Sequence, residues 1–501
     1  MMLAAILGLL AASQGPAEAS TRAAIARVER LDRKVHAVLA LNPWAIADAR
    51  ALDRSRRARG PLHGMPILLK DNVEASGVLP TTAGSLALAR NVTNRDAPIV
   101  ARLRGAGAVI LGKTNLSEWA NIRSSNSTSG WSAVGGQTHN PHAFDRNPCG
   151  SSSGSAAAVA AGMVDAAVGT ETDGSITCPA SVNGVVGLKP TVGLVSRSRI
   201  VPISRSQDTA GPLAKDVATA ARLLNAIAGS DPSDPATREA DARKSDYAAG
   251  LRRDALHGAR IGVVRLEGWS PAVQTLFEAA LAVLRAQGAV LVDIAPPDRA
   301  GTGADELVVL LAELKAGLNA YLATTPSAVR TRTLADVITF NRAHAARELA
   351  LFDQDLFERA EATAGMGDSA YLQARARSLL AARENGLDRM LTGSDLVAIV
   401  APTVSPAWKT DVVNGDQVAK SGIGYLAAVA GYPHLSVPMG RVRGLPVGMS
   451  FIGPAWSEGH LLGLGYAYEQ AAKVKMPGAV VQRRSRGPRL SEASPRDKAG
   501  R

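Results

Sequence analysis

Cys149-Gly150-Ser151-Ser152-Ser153-Gly154-Ser155 runs into an alanine-rich stretch and then a short apolar segment, ending in Gly169-Thr170-Glu171-Thr172-Asp173-Gly174-Ser175. Residues 155–161 have helix-forming composition, 164–168 are strand-like, and Ser175 stands where another helix can begin. A helix and a strand joined this closely, with glycine at each turn, point to an α/β sheet with crossover helices. The same order extends outward. Ile25, Val28, Leu31 and Val35 are spaced as one face of a helix starting near Ser20, whose hydroxyl can cap it. A second helix is expected over 44–59, ended by Gly60-Pro61. Residues 62–70 read as a loop feeding a buried strand, 98–105 as a helix and 108–111 as a strand.

From 231 to 395 the pattern turns helix-rich, with helices expected over 345–361 and 370–391 and short strands over 261–264 and 289–294. Strand character returns at 396–400, 434–438 and 447–452, followed by a helix over 458–472. A chain that starts and ends on one sheet is expected to be a single domain over 21–476, with the helix-rich insertion 231–395 shaping the substrate pocket. Residues 1–20 read either as a signal peptide, cleaved near Ala17-Glu18-Ala19, or as an opening helix. The lack of a basic residue before Arg22 favours the helix, and with it a cytoplasmic over a periplasmic or secreted location. Residues 477–501, basic and rich in Ser, Pro and Gly, are expected to be disordered.

Composition narrows the function. The 501 residues are 46% apolar, enough for a large core, and no run approaches the ~20 apolar residues of a membrane span. The net charge of +12 raises nucleic acid as a partner. Part of that excess lies in the tail, and no basic stripe is interleaved with aromatics, so no nucleic-acid or membrane role is expected. Cys149 and Cys178 are expected to be small, buried and reduced, although one bridge between them is conceivable in an oxidising compartment.

Lys70 closes the apolar run Met65-Pro66-Ile67-Leu68-Leu69. A serine hydroxyl needs a base before it attacks a carbonyl, and a lysine held in a dry pocket can be one, because burial disfavours its charged form. Gly150-Ser151-Ser152-Ser153-Gly154 also satisfies the hydrolase nucleophile-elbow pattern around Ser152, but loop chemistry rather than a strand precedes it. His139 and His142 straddle Pro141 and are expected to be solvated loop residues. No metal or cofactor is called for.

Together these blocks resemble the amidase signature family. The resemblance covers the segment from Cys149 to Asn183-Gly184-Val185-Val186-Gly187-Leu188-Lys189-Pro190-Thr191. It extends to His63-Gly64-Met65-Pro66 with Lys70-Asp71-Asn72, to Leu111-Gly112-Lys113-Thr114-Asn115, and to Ala430-Gly431-Tyr432-Pro433 with Gly444-Leu445-Pro446-Val447-Gly448. It implies a mixed central sheet flanked by helices and hydrolysis of linear carboxamides to carboxylate and ammonia. It further implies a triad in which Ser175 attacks, Ser151, in a cis peptide bond, relays the proton and neutral Lys70 is the ultimate base. The N–H groups around Thr172, Asp173, Gly174 and Ser175 would form the oxyanion hole, and Asn121 and Thr172 would contact substrate. Cys149 and Ser153 replace usual glycines, Glu171-Thr172-Asp173 replaces a frequent aspartate-any-glycine run, and Thr177 replaces a frequent arginine. These variants, with Trp119-Ala120-Asn121, Ser206-Gln207-Asp208-Thr209-Ala210-Gly211-Pro212 and Leu334-Ala335-Asp336-Val337-Ile338-Thr339-Phe340-Asn341, are similar to the peptide amidase branch, which removes C-terminal amides. The alternatives are a glutamine-hydrolysing component of a tRNA-dependent amidotransferase, which needs partner subunits, and a non-catalytic binding relative. Oligomeric state is left open.

Overall fold

A computed structural model describes residues 15–55, 58–296, 301–474 and 476. Eleven strands form one twisted sheet: β1 (Val38–Leu41), β2 (Pro66–Lys70), β3 (Val109–Thr114), β6 (Ala166–Glu171), β7 (Val186–Lys189), β8 (Thr209–Ala214), β9 (Arg260–Val264), β10 (Val290–Ile294), β11 (Ala398–Pro402), β12 (His434–Val442) and β13 (Leu445–Ile452). A separate two-stranded ribbon pairs β4 (Trp131–Ser132) with β5 (Gly136–Gln137). Across the large sheet the order is β1-β3-β2-β6-β8-β7-β12-β13-β11-β9-β10. β2 runs parallel to both neighbours, whereas β8, β7, β12 and β13 are joined antiparallel, so the sheet is mixed, as expected.

Strand alternation explains how the site is aimed. Ile67 and Leu69 enter one hydrophobic core, while Leu68, between them, enters the other with Ala156, Ala157 and Ala158 of the helix Ser153–Ala160. Lys70 shares the face of Leu68 and therefore points toward the start of that helix. Asp71 points the other way. The small side chains of the helix let it lie close on the sheet, and all but its last residue are buried.

The opening helix runs over Pro16–Val35, so it begins before Ser20, and Gly15 rather than a serine is its N-cap. Asp53 supplies the missing acceptor, taking the Ala17 and Glu18 N–H groups at 2.9 and 2.8 Å. Ala17 and Glu18 are buried there, and residues 1–14 lie outside the described residues, as does the basic tail 477–501. The second helix stops earlier than expected, at Asp53. Within 231–395, β9 and β10 extend the sheet edge, and the helix Thr302–Ala323 packs with Trp119, Val201 and Ile203.

Two long helices expected in this region are broken. Arg123, fully buried, donates to the carbonyls of Glu348 and Phe352, and the chain interrupts between Ala345–Glu348 and Asp355–Glu361 to present them. The second is split by a π-turn over Arg383–Leu387, where Gly386 leaves helical geometry. Among the described residues no helix is long and apolar enough to cross a membrane.

Candidate active site

Lys70 is fully buried at the end of β2, and its Nζ stands 2.7 Å from Ser151 Oγ. Thr170, at the end of neighbouring β6, offers its hydroxyl and carbonyl oxygens to the same nitrogen at 2.8 and 3.2 Å. A neutral amine has two N–H groups and one lone pair. The two Thr170 oxygens take the N–H groups, which leaves the lone pair to accept the proton of the Ser151 hydroxyl. Burial lowers the Lys70 pKa from 10.5 to about 7, against the opposing pull of Asp208 and Glu171. The carboxylate next in sequence does not restore it: Asp71 is bonded to Lys113 Nζ at 2.9 Å and to Thr82.

Ser151 is held by the turn before its helix. The Gly150–Ser151 peptide bond is cis, and only glycine fits at 150, where a Cβ would collide with Ser117 Oγ. The Ser151 carbonyl accepts the Ser117 N–H at 3.1 Å. Next to it, Ser152 N donates to the Ser175 carbonyl at 3.1 Å, so the loops carrying Ser151 and Ser175 are tied through the backbone. Ser175 is itself buried, with 7% of its surface exposed, and follows Gly174 at φ 76°, a left-handed turn that glycine adopts without strain. Ser152, the centre of the elbow pattern, is fully buried with its hydroxyl exchanged with Thr170 N and O, which makes it structural.

Past Ser175 the helix Thr177–Asn183 starts without a cap of its own. Glu171 Oε2 accepts the N–H groups of Ile176 and Thr177 at 2.7 and 2.9 Å. This role of Glu171 was not read from sequence, although an acid six residues before a helix is a visible clue. Thr170 and Asn72 were also missed. Thr170 lies two residues before Thr172, which follows the end of β6 and lines the same cavity, and Asn72 Nδ2 donates to Thr170 Oγ1 at 2.9 Å.

The remaining candidates fall at different distances from this centre. Thr172 donates to Asp208 at 2.6 Å, and Asp173 is exposed. Asn121 ends a run of three left-handed residues, with Trp119, Ala120 and Asn121 at φ 48°, 55° and 72°. It donates to Ser129 Oγ at 2.9 Å, beside Gly150, while its buried Oδ1 has no partner.

Two expectations are corrected. Cys149 and Cys178 form a disulfide, their Cα atoms 6.1 Å apart, because the loop before Ser151 and the helix after Ser175 are neighbours. The bond also helps to hold Cys149 at φ 54°, a conformation suited to the glycine usual in the family. His139 and His142 are half-buried rather than solvated, bonded to the carbonyls of Phe144 and Asn183. Among the described residues no cluster of His, Cys, Asp or Glu could hold a metal ion.

Comparison with known proteins identifies the family. The model of the Amidase family matches residues 19–462. A probable amidase of Arabidopsis thaliana is 40% identical over 91% of this chain and 86% of its own length. The solved peptide amidase of Stenotrophomonas maltophilia superposes with a TM-score of 0.87 at 49% identity, covering 93% of this chain and 95% of the other. One component of the glutamyl-tRNA(Gln) amidotransferase of Chloroflexus aurantiacus is 37% identical over 94% of this chain and 97% of its own. A family match over most of the chain, with these relatives, makes this protein a member of the amidase family and a hydrolytic enzyme.

Proposed function

We propose that this protein hydrolyses linear carboxamides, and specifically C-terminal amides of peptides, through Ser175, Ser151 and Lys70. The observation that carries the reading is the buried 2.7 Å contact between Lys70 Nζ and Ser151 Oγ, made by an amine whose pKa lies near neutrality. Ser151 passes its proton to Lys70 and takes one from Ser175 as Ser175 Oγ adds to the amide carbon. The resulting oxyanion is met by N–H groups over residues 172–175, which precede the pair held by Glu171. Proton return through Ser151 releases ammonia, leaving Ser175 acylated. Water, deprotonated by the same path, then frees the carboxylate. The substrate class is supported by the 49% identity to a solved peptide amidase over almost the whole chain.

Ammonia release from simple amides, amino-acid amides and amidated peptides tests it. Amidated peptides are expected to give the highest kcat/KM, and equal turnover of all three would refute the peptide assignment. The likeness to an amidotransferase component supports a second reading, hydrolysis of glutamine within a larger assembly. Glutamine turnover that exceeds peptide-amide turnover and depends on partner subunits would favour it.

A further inference from the structure

β6 and β8 pair antiparallel, with Thr170 opposite Ala210 and Glu171 opposite Thr209. One step beyond the ladder the same register sets Asp208 across from Thr172, and Thr172 Oγ1 donates to Asp208 Oδ1 at 2.6 Å. The other carboxylate oxygen accepts the N–H groups of Ile203 and Ser204 at 2.8 and 2.9 Å, closing the loop before β8. Asp208, Thr172, Thr170 and Asn72 line one cavity of about 220 Å³. Thr170 is also the residue against which Lys70 is seated.

We propose that Asp208 is a positioning residue for amide hydrolysis: through Thr172 it fixes the loop leading into Ser175, and from the cavity it shares with Thr170, the seat of Lys70, its charge supports the Lys70 amine. This rests on the assignment of Lys70 as the base. The other charged groups on the neighbouring elements, like Asp208 itself, have hydrogen-bond or ion-pair partners of their own. Asp71, beside Lys70, is neutralised by Lys113 from β3. Glu171 on β6 acts on Lys70 but is committed to the Ile176 and Thr177 N–H groups. Beyond Asp208, Arg197 pairs with Asp234. From the helix Thr302–Ala323, Glu313 accepts from Ser204 and Ser206, and Glu306 from Gln207. Of the two carboxylates acting on Lys70, Asp208 has the larger pull, favouring the protonated amine; burial raises the Asp208 pKa, against the hydrogen bonds from Thr172, Ile203 and Ser204 and the charge of Arg197. Burial alone would make the amine too weak a base, and a base works best with a pKa near the working pH. Asp208 holds it there.

The test is the pH dependence of kcat/KM for one amidated peptide between pH 5 and 9. In Asp208→Asn the acid limb is expected to move down by about one pH unit, because the opposing charge is gone. Asp208→Ser, which is neutral and smaller, is expected to move it the same way and serves if the first variant does not fold. Asp208→Glu keeps the charge and is expected to leave the limb in place. Thr172→Val, which breaks the hydrogen bond but not the charge, is expected to lower kcat tenfold or more with the limb unmoved. A limb at the wild-type position in both neutral variants would overturn the proposal, reducing Asp208 to a loop tie. A wild-type enzyme with no limb near neutrality would instead remove the base role of Lys70.

Discussion

Acidification is expected to switch this enzyme off by a calculable amount. In the proposed proton path Lys70 works only when neutral, and burial brings its pKa from 10.5 to about 7. At ~1.36 kcal/mol per pH unit, that difference is about 5 kcal/mol of disfavoured charge. Half the molecules then carry the neutral base at pH 7, about nine in ten at pH 8 and about one in a hundred at pH 5. kcat/KM should therefore fall by about a hundredfold between pH 8 and pH 5, with unit slope below the inflection. An exposed lysine would give about a thousandfold over the same interval and no plateau before pH 10. Initial rates of ammonia release from an amidated dipeptide, with circular dichroism confirming the fold at each pH, measure the curve. Activity that is flat from pH 8 down to pH 5, or that keeps rising tenfold per unit beyond pH 9, would refute the reasoning.

Lys70→Ala is expected to lose at least a thousandfold in kcat without losing stability at pH 7, as thermal melts would show. The sign follows from linkage. Between about pH 7 and 10.5 the unfolded chain holds a proton that the folded chain lacks, so this lysine's cost to folding is full below that window and fades as pH rises through it. Removing the Cys149–Cys178 bridge, which closes a loop with a sequence separation of 29, should lower the unfolding free energy by about 3.6 kcal/mol in guanidinium titrations of the double alanine variant. Treatment with reductant should reduce activity as well, since the bond joins the turn before Ser151 to the helix after Ser175. Glu171→Gln should cost about 1–2 kcal/mol in the same titration, because a charged acceptor for two helix N–H groups becomes neutral.

Much of this was legible in the chain because the site is built from local patterns. The run from Met65 to Leu69 reads as buried strand, and alternation alone separates Lys70 from Asp71. The serine and glycine spacing between Cys149 and Ser175 marks two turns flanking a helix and a strand. What escaped was everything decided across the sheet. Thr170 and Asp208 matter because β6 lies beside both β2 and β8, an adjacency that no periodicity encodes. The disulfide depends on the same proximity of distant loops, so composition argued for reduced cysteines. The break after Glu348 follows from the buried Arg123 guanidinium claiming the Glu348 and Phe352 carbonyls, a tertiary demand that overrides local propensity, and the second break falls at Gly386.

Rapid-quench mass spectrometry of the enzyme with an amidated peptide locates the covalent intermediate directly. The expected result is an acyl adduct confined to the peptide fragment containing Ser175, formed at pH 8 and lost in Lys70→Ala. An adduct on Ser151 or Ser152, or an undiminished Ser175 adduct without the lysine, would contradict the proposed proton path.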